Sequence, residues 1–167
     1  MALTATPIIV RVIEVKSKMT AKMTATLNDE LAVAEANERF YLALEEGDLA
    51  AMEAVWLHED WVMCIHPGWA PIAGWEGVYE SWRRIFENAS GMRISPGEIR
   101  IHLANDFAWV SCTESLVIFL DSSSTPVTAA TTATNLFRHI DGNWLLVHHH
   151  ASPTPSAALI AASEAIQ

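Results

Sequence analysis

Three side chains of this sequence have types suited to proton transfer or to polarising a ligand oxygen: His66, Glu114 and Asn135. Imidazole titrates near pH 6.5, so His66 suits the role of a general base at neutral pH. The alternative is a strand-end histidine whose ring bonds a backbone carbonyl. The amide N–H group of Asn135 can donate to a carbonyl oxygen or an enolate that gains negative charge. Because threonines surround Asn135, a hydrogen bond inside a sheet is the alternative there.

Three consecutive histidines, His148, His149 and His150, continue a strand pattern that begins at Trp144. Side chains alternate between the two faces of a strand, so His148 and His150 share one face and His149 lies on the other. Trp144 and Leu146 fall on the face of His148 and His150. We therefore expect His148 and His150 to point inward, toward a core or a pocket.

An inward pair of imidazoles needs polar partners. Glu114 on a neighbouring strand can supply one, and an ionised Glu beside a histidine favours the imidazolium form. Three roles stay open for the pair: a structural network between sheet and helices, the polar end of a ligand pocket, or a metal-ligand set together with His66. No motif with fixed ligand spacing is present, and zinc usually takes three or four protein ligands. We therefore predict no metal.

Tryptophan is unusually frequent, with seven residues in 167. Such large, flat, amphipathic side chains indicate a big core, a pocket or an interface. Trp69, Trp75 and Trp82 are predicted to line the mouth of a pocket or to pack in the core.

Helices and strands must position these groups. An apolar pattern at helical spacing covers about residues 33–44, and Thr26 or Asn28 can cap the start of that helix. Asp48 can cap a second, shorter helix, and a third is predicted over Trp75–Asn88.

A buried strand is predicted from Trp61 to His66, and long strands follow after Gly91. Asp141-Gly142 is a strong two-residue hairpin turn, because both of its central residues must accept positive φ. Helices followed by an antiparallel sheet define an α+β fold. The predicted long strands are Ile99–Leu103, Phe107–Leu120, Pro126–Ile140 and Trp144–His150.

Three stretches of this sequence carry a resemblance to a known superfamily. They are Phe40–Asp48, which ends a helix in Gly-Asp; Ile65–Gly68, followed by the helix with Ser81-Trp82; and Thr134–Phe137 with Asp141–Ser152. Together they resemble NTF2-like proteins, which include SnoaL-like cyclases, ketosteroid isomerases, scytalone dehydratase and the association domain of calcium/calmodulin-dependent kinase II. The resemblance covers roughly residues 27–153. It implies a cystatin-like, NTF2-like cone, in which N-terminal helices pack on a curved, mostly antiparallel sheet.

The ketosteroid isomerases imply roles for individual residues. His66 stands where their catalytic base precedes a proline, and Asn135 stands where their protonated oxyanion-hole Asp lies two residues before an aromatic, here Phe137. Phe40 is the nearest match to their oxyanion-hole tyrosine. By this resemblance His66, Asn135, His148 and His150 are candidate catalytic residues. The candidate ligand-binding residues are Phe40, Trp69, Trp82, Glu114 and Phe137.

The implied function is a small-molecule pocket. It would bind a mostly apolar ligand and catalyse acid/base isomerisation, dehydration or cyclisation without a cofactor. The alternative is a module that binds a ligand or pairs subunits without chemistry. Homodimers that pair through the sheet are common in this superfamily, so a homodimer is expected.

Charge and hydropathy exclude other classes of partner. The net charge is −10, with 20 acidic and 10 basic residues, and a chain without a basic patch does not suit nucleic acid. No apolar run reaches the roughly 18 residues of a membrane span, and no secretory signal is evident. A cytoplasmic location is expected. Cys64 and Cys112 lie in apolar strand patterns, which favours buried free thiols.

We predict three segments in the chain. Residues 1–25 form an N-terminal extension, either disordered, or an extra strand from Pro7 to Val15, or the product of a start codon placed too far upstream. Residues 26–153 form the domain. Residues 154–167 form a C-terminal tail, frayed or docked.

Overall fold

The computed structural model describes residues 8–119 and 125–154. It contains three helices, α1 (Ile8–Glu46), α2 (Leu49–Val55) and α3 (Trp75–Asn88). Six strands form one sheet: β1 (Met63–Ile65), β2 (Ile72–Ala73), β3 (Gly91–Ala104), β4 (Phe107–Phe119), β5 (Val127–Ile140) and β6 (Asn143–Pro153).

The sheet has the order β2-β1-β6-β5-β4-β3. All neighbouring strands are antiparallel except β1 and β6, which run parallel. The four long strands form a meander, and α1 crosses it with most of its contacts on β3 and α2. The predicted α+β fold is confirmed, including the hairpin turn at Asp141 and Gly142, where φ is 49° and 83°.

The core lies between α1 and the inner face of the sheet. Phe40, Trp56, Phe137 and Leu146 are its largest fully buried side chains together with Met52. They come from α1, from α2 and the residue that follows it, and from the two central strands β5 and β6. The helical and sheet layers therefore share one apolar interior. Asp48 caps α2 as predicted, since its carboxylate accepts a bond from the Ala51 N–H group at 2.9 Å.

The start of α1 differs from the prediction. The helix begins at Ile8, so the strand from Pro7 to Val15 is wrong, and so is a helix start at Thr26 or Asn28. The physical reason is that residues 8–25 contain neither Gly nor Pro, and nothing in that segment stops a helix. The predicted tail lies outside the described residues beyond Thr154.

Strand β3 also differs, because it begins at Gly91 instead of near Ile99. Pro96 and Gly97 do not end it, since the register with β4 shifts between Gly97 and Arg100 and thus forms a bulge. Proline is tolerated because β3 is an edge strand, with one side free of ladder bonds. The short strand β2 was not predicted.

Two parallel rows of side chains cross the sheet on opposite faces. The inner row is Ile101, Val110, Asn135, His149 and Cys64. The outer row is His102, Trp109, Leu136, His148 and Met63.

A bulge in β6 sets which histidine falls on which row. Leu136 pairs with His148, but Phe137 pairs with Leu146, so Val147 is the extra residue. An extra residue reverses the alternation of every side chain after it. The prediction that His148 and His150 point inward is therefore wrong: His149 is 3% exposed and faces the interior.

Candidate functional site

A cavity of about 240 Å³ lies between α1, α3 and the inner face of the sheet. Most of its wall is apolar, from leucine, isoleucine, methionine, alanine and tryptophan. Its polar lining comes from His66, Glu114, Thr131 and His149. The remaining lining residues are Leu44, Pro67, Trp69, Trp82, Ile85, Met92, Ile94, Leu116, Ile118, Ala129 and Ala151.

His66 lies at the end of β1 and is held by α3. Its Nε2 atom is 2.9 Å from Ser81 Oγ, and the Ser81 hydroxyl donates to the Val78 carbonyl at 2.7 Å. Because that hydroxyl proton is already used, Ser81 accepts from Nε2–H of His66. The lone pair of the neutral ring is thereby left on Nδ1, with the Cys64 Sγ atom 3.8 Å away. The ring also packs edge-on against Trp69 and Trp82, with centroids 4.9 and 4.5 Å away.

His149 is oriented by Asn135. The His149 Nδ1–H group donates to Asn135 Oδ1 at 2.6 Å. Asn135 can only accept there, because its Nδ2 group donates to Asn37 Oδ1 at 2.8 Å and to Tyr41 Oη at 3.3 Å. The lone pair of the neutral His149 ring therefore lies on Nε2. Phe40 packs against this ring with its centroid 5.0 Å away.

The hydrogen bonds behind the cavity wall continue to Glu114. The Tyr41 hydroxyl donates to Glu114 Oε1 at 2.8 Å and contacts Cys112 Sγ at 3.0 Å. The Thr131 hydroxyl donates to Glu114 Oε2. His149 and Glu114, two cavity-lining residues, are thus joined through Asn135 and Tyr41. Such a chain of committed donors and acceptors fixes each group in one orientation.

Burial sets the charge of these groups. It lowers the pKa of His66 to about 4 and, with the nearby His66 charge as a smaller cause, lowers that of His149 to about 3. Burial also raises the pKa of Glu114, while the bonds from Thr131 and Tyr41 oppose that rise. Both imidazoles are therefore neutral at pH 7 and present lone pairs as proton acceptors. Glu114 retains its proton at a higher pH than an exposed carboxyl group does.

The structure brings four predicted site residues together at the cavity: His66, Trp69, Trp82 and Glu114. The indole N–H group of Trp82 is buried and has no hydrogen-bond partner among the described residues. A cavity lined by two neutral imidazoles and a carboxyl group suits a ligand that carries an oxygen or a hydroxyl group.

His148 and His150 do not reach the cavity. The bulge at Val147 places them on the outer face, where their rings lie 6.3 Å apart. A metal set with His66 is thereby ruled out, because His66 lies on the other side of the sheet. Among the described residues, no cluster of three or more His, Cys, Asp or Glu is placed to hold a metal ion.

Asn135, Phe40 and Phe137 lie behind the cavity wall and do not line it. Each of these three side chains is 0% exposed. Both N–H donors of Asn135 are taken by Asn37 and Tyr41, so donation from Asn135 to a ligand oxygen does not fit this arrangement. Asn135 instead positions His149. Phe40 and Phe137 pack in the core.

Sequence reasoning missed His149, Tyr41 and Thr131. His149 was missed because strict alternation of side chains along the strand placed it on the outer face. The sequence carries no clear sign of the bulge that reverses this alternation. Tyr41 directly follows Phe40, the residue chosen as the nearest match to a catalytic tyrosine. Helical spacing alone does not show in which direction each of these two side chains points. Thr131 pairs with Glu114 across β4 and β5, which correct register would have shown. Cys64 and Cys112 are buried free thiols, as predicted.

Comparison with known proteins gives the family context of this geometry. The model of a family described as SnoaL-like domain matches residues 33–156. The chain is 30% identical to a candidate dehydratase of the NTF2-like family from Streptomyces avermitilis, with a TM-score of 0.72, over 77% of this chain and 98% of that one. It is 33% identical to a candidate calcium/calmodulin-dependent protein kinase type II association domain from Thiobacillus denitrificans, with a TM-score of 0.60, over 72% and 93% of the two chains.

A similar sequence also occurs in a plant protein. Over 121 residues, 72% of this chain is 30% identical to the F-box protein SKIP8 of Arabidopsis thaliana. The chain spans about half the length of that relative, since the match covers 49% of it. Across residues 8–119 and 125–154, none of the helices combines the length and the apolar character needed to cross a bilayer.

Proposed function

We propose that this chain, which belongs to the SnoaL-like domain family of the NTF2-like superfamily, binds a small, mostly apolar carbonyl or hydroxy compound and transfers protons on it. The observation that carries this proposal is the convergence of two neutral imidazoles and one carboxyl group on an apolar cavity. Acid and base groups in one water-poor site are what isomerisation, dehydration and aldol-type cyclisation need. No cofactor is required by this chemistry.

His66 is the base in this proposal. Its Nδ1 lone pair is fixed by the bond from Nε2–H to Ser81, and its burial keeps the ring neutral at pH 7. It would remove a proton from a carbon next to a carbonyl group. A base with a pKa near 4 acts only on a substrate whose carbanion is stabilised, as an enolate is by a donor at its oxygen.

Glu114 and Trp82 are the donors. A protonated Glu114 would give its proton to the carbonyl oxygen, and the unpaired indole N–H of Trp82 would bond the same or a second ligand oxygen. In a dehydration, Glu114 would protonate the departing hydroxyl, which leaves as water. His149 Nε2 would accept a bond from a ligand hydroxyl and orient it.

The cavity also indicates the size of the ligand. Its volume of about 240 Å³ lies below the roughly 300–1,000 Å³ of pockets for drug-sized molecules. A ligand with a single ring or a short chain fits such a volume. The candidate dehydratase among the similar structures supports an enzyme of this kind.

A deuterium-exchange assay tests the proposal without knowledge of the natural substrate. The protein is incubated in D₂O with a panel of small ketones and β-hydroxy ketones, and proton NMR follows the loss of α-proton signals. Wild type should accelerate exchange for at least one compound, and His66→Ala should reduce the acceleration at least 100-fold, as expected for the loss of a general base. His58→Ala, an exposed histidine outside the cavity and outside the outer row, is the matched control. Full exchange in folded His66→Ala would refute the assignment.

A binding role without chemistry is the second candidate. The low pKa values of His66 and His149 favour it, because weak bases bind a hydroxyl group well and remove protons poorly. The similar segment in an F-box protein supports it too, since there it is part of a longer chain. A compound that co-purifies and appears in native mass spectra, with no exchange by any panel member, would identify this role.

We also propose that the outer face of the sheet pairs two copies of the chain. Its central row contains Trp109, 41% exposed, beside the half-buried Leu136. Aromatic and aliphatic groups at the centre of a mostly polar Ser/Thr face are typical of an interface core. The similar kinase association domain supports association of this kind.

A further inference from the structure

Helix α1 carries a row of four exposed apolar side chains: Met19, Met23, Leu27 and Leu31. They are between 53% and 68% exposed. Side chains four residues apart lie on the same side of an α-helix, so the four form one continuous stripe. Every side chain that the structure describes from Met19 to Asn28 is exposed, and Val33 is the first buried one among the described side chains of α1. This part of the helix therefore projects from the domain. At 1.5 Å per residue, residues 19–32 extend about 20 Å.

The stripe continues into a groove between α1 and β3. The floor of the groove is formed by Leu31, Leu42, Ile94, Pro96 and Ile99, and Leu42 and Ile99 are 48% and 49% exposed. Acidic residues of α1 line the same groove: Glu35, Glu38 and Glu45. We call the stripe and the groove together the arm face. A solvent-exposed apolar surface of this length on a single helix marks an interaction site.

Charge identifies the occupant of the arm face. Residues 8–22 contain four basic residues and one acidic residue, whereas residues 29–46 contain six acidic residues and one basic residue. Two copies of α1 side by side in opposite directions would therefore match a basic half with an acidic half twice. An anionic membrane surface would meet the acidic half and a net charge of −10, which repel it.

Helix geometry gives the register of such a pair. With a two-fold axis near residue 25, Met23 lies beside the partner's Leu27, and Met19 lies beside the partner's Leu31. The stripe and the charge halves agree with this arrangement.

We propose that the arm face binds a second copy of this chain, with the two α1 helices antiparallel and their apolar stripes in contact. The contact is isologous, so by itself it joins two copies. It is separate from the pairing through the outer face of the sheet. It also gives the projecting helix the packing that an isolated helix in water lacks.

Sedimentation equilibrium of the full chain tests the arm contact in a Leu136→Glu background, which introduces charge on the outer sheet face. The Leu136→Glu chain should remain a dimer. Addition of Met23→Glu and Leu27→Glu should raise its dimer dissociation constant at least 100-fold. Both positions are exposed, so the domain itself stays folded, as circular dichroism would verify. Asn28→Glu, exposed on α1 but off the stripe, is the matched control and should leave the dimer intact.

A charge exchange tests the antiparallel register. Met19→Glu should weaken the dimer about tenfold at low salt, and Leu31→Lys in the same chain should restore it, because position 19 lies beside position 31 of the other copy. A parallel pair would not be restored. The proposal is overturned by a monomeric Leu136→Glu chain, by a dimer that survives Met23→Glu with Leu27→Glu, or by a failed restoration. Binding to phosphatidylserine vesicles without self-association would overturn it in favour of a membrane surface.

Discussion

Neighbouring histidines of β6 lie on opposite faces of the sheet and differ in burial and in hydrogen bonding. His149, on the inner face, has its Nδ1 proton committed to Asn135 at 2.6 Å and its ring packed against Phe40. His148, one residue earlier, is half-buried on the outer face beside Leu136. The residue type and the local sequence are the same. The difference comes from the bulge at Val147, which decides the row to which each ring belongs.

This contrast shows what burial demands of polar groups. An inner polar group that loses its partner stays buried without a hydrogen bond, which costs its full desolvation free energy. An outer polar group that loses its partner can bond to water instead. The inner row therefore needs a complete set of donors and acceptors, and Asn37, Tyr41, Asn135 and His149 supply it. The outer row is free to carry an interface.

The largest expected effect comes from breaking the inner network at its centre. Asn135→Leu, of similar shape, would leave Asn37, Tyr41 and the His149 Nδ1–H group without their shared partner. Each buried unsatisfied group costs about 1–3 kcal/mol, so the free energy of unfolding should fall by about 4 kcal/mol in urea denaturation. Thr134→Val, the preceding residue on the outer face, should change it by less than about 1 kcal/mol. Equal losses at both positions would remove the distinction between the faces.

The pH dependence of stability gives a second, slightly smaller effect. The pKa values of His66 and His149 in the folded chain, about 4 and about 3, lie below their unfolded values. The unfolded chain therefore takes up protons first, and stability present above pH 6.5 is lost as pH falls toward pH 4. Between pH 7 and pH 5 each imidazole costs about 2 kcal/mol.

Glu114 acts in the opposite direction. Its folded pKa is raised, so the folded chain binds a proton more readily than the unfolded chain and gains stability as pH falls through that raised value. The net loss between pH 7 and pH 5 should therefore be smaller than the roughly 4 kcal/mol that the two imidazoles cost together, measured by urea unfolding at each pH. His149→Gln should reduce the slope by close to one proton, whereas Thr134→Val should not alter it. A slope that His149→Gln leaves unchanged would contradict a neutral buried His149.

The fold follows from patterns that are local in the sequence, but the site does not. Helix-end and turn residues give strong local signals at Gly47-Asp48 and at Asp141-Gly142. These signals were sufficient to predict α2 and the last hairpin. His66 and Glu114 were identified because polar residues in apolar runs are conspicuous. His149 was not, because a bulge depends on packing of Val147 between strands, which no alternation pattern contains. Tyr41 was not, because the direction of a helical residue relative to a distant strand is a tertiary property.

The outer face supplies the smallest expected effect. Leu136 lies between Trp109 and His148 in the central row, so Leu136→Glu would place two carboxylates near the two-fold axis of the proposed sheet contact. Since the inner network is untouched, the free energy of unfolding in urea at low protein concentration should stay within about 1 kcal/mol of wild type. The sheet contact should weaken at least 30-fold, which corresponds to about 2 kcal/mol. Ala54→Glu, at an exposed position of α2, controls for added charge. If Leu136→Glu associates as wild type does, the outer face is not the interface, and its tryptophan-centred row is only a solvated surface.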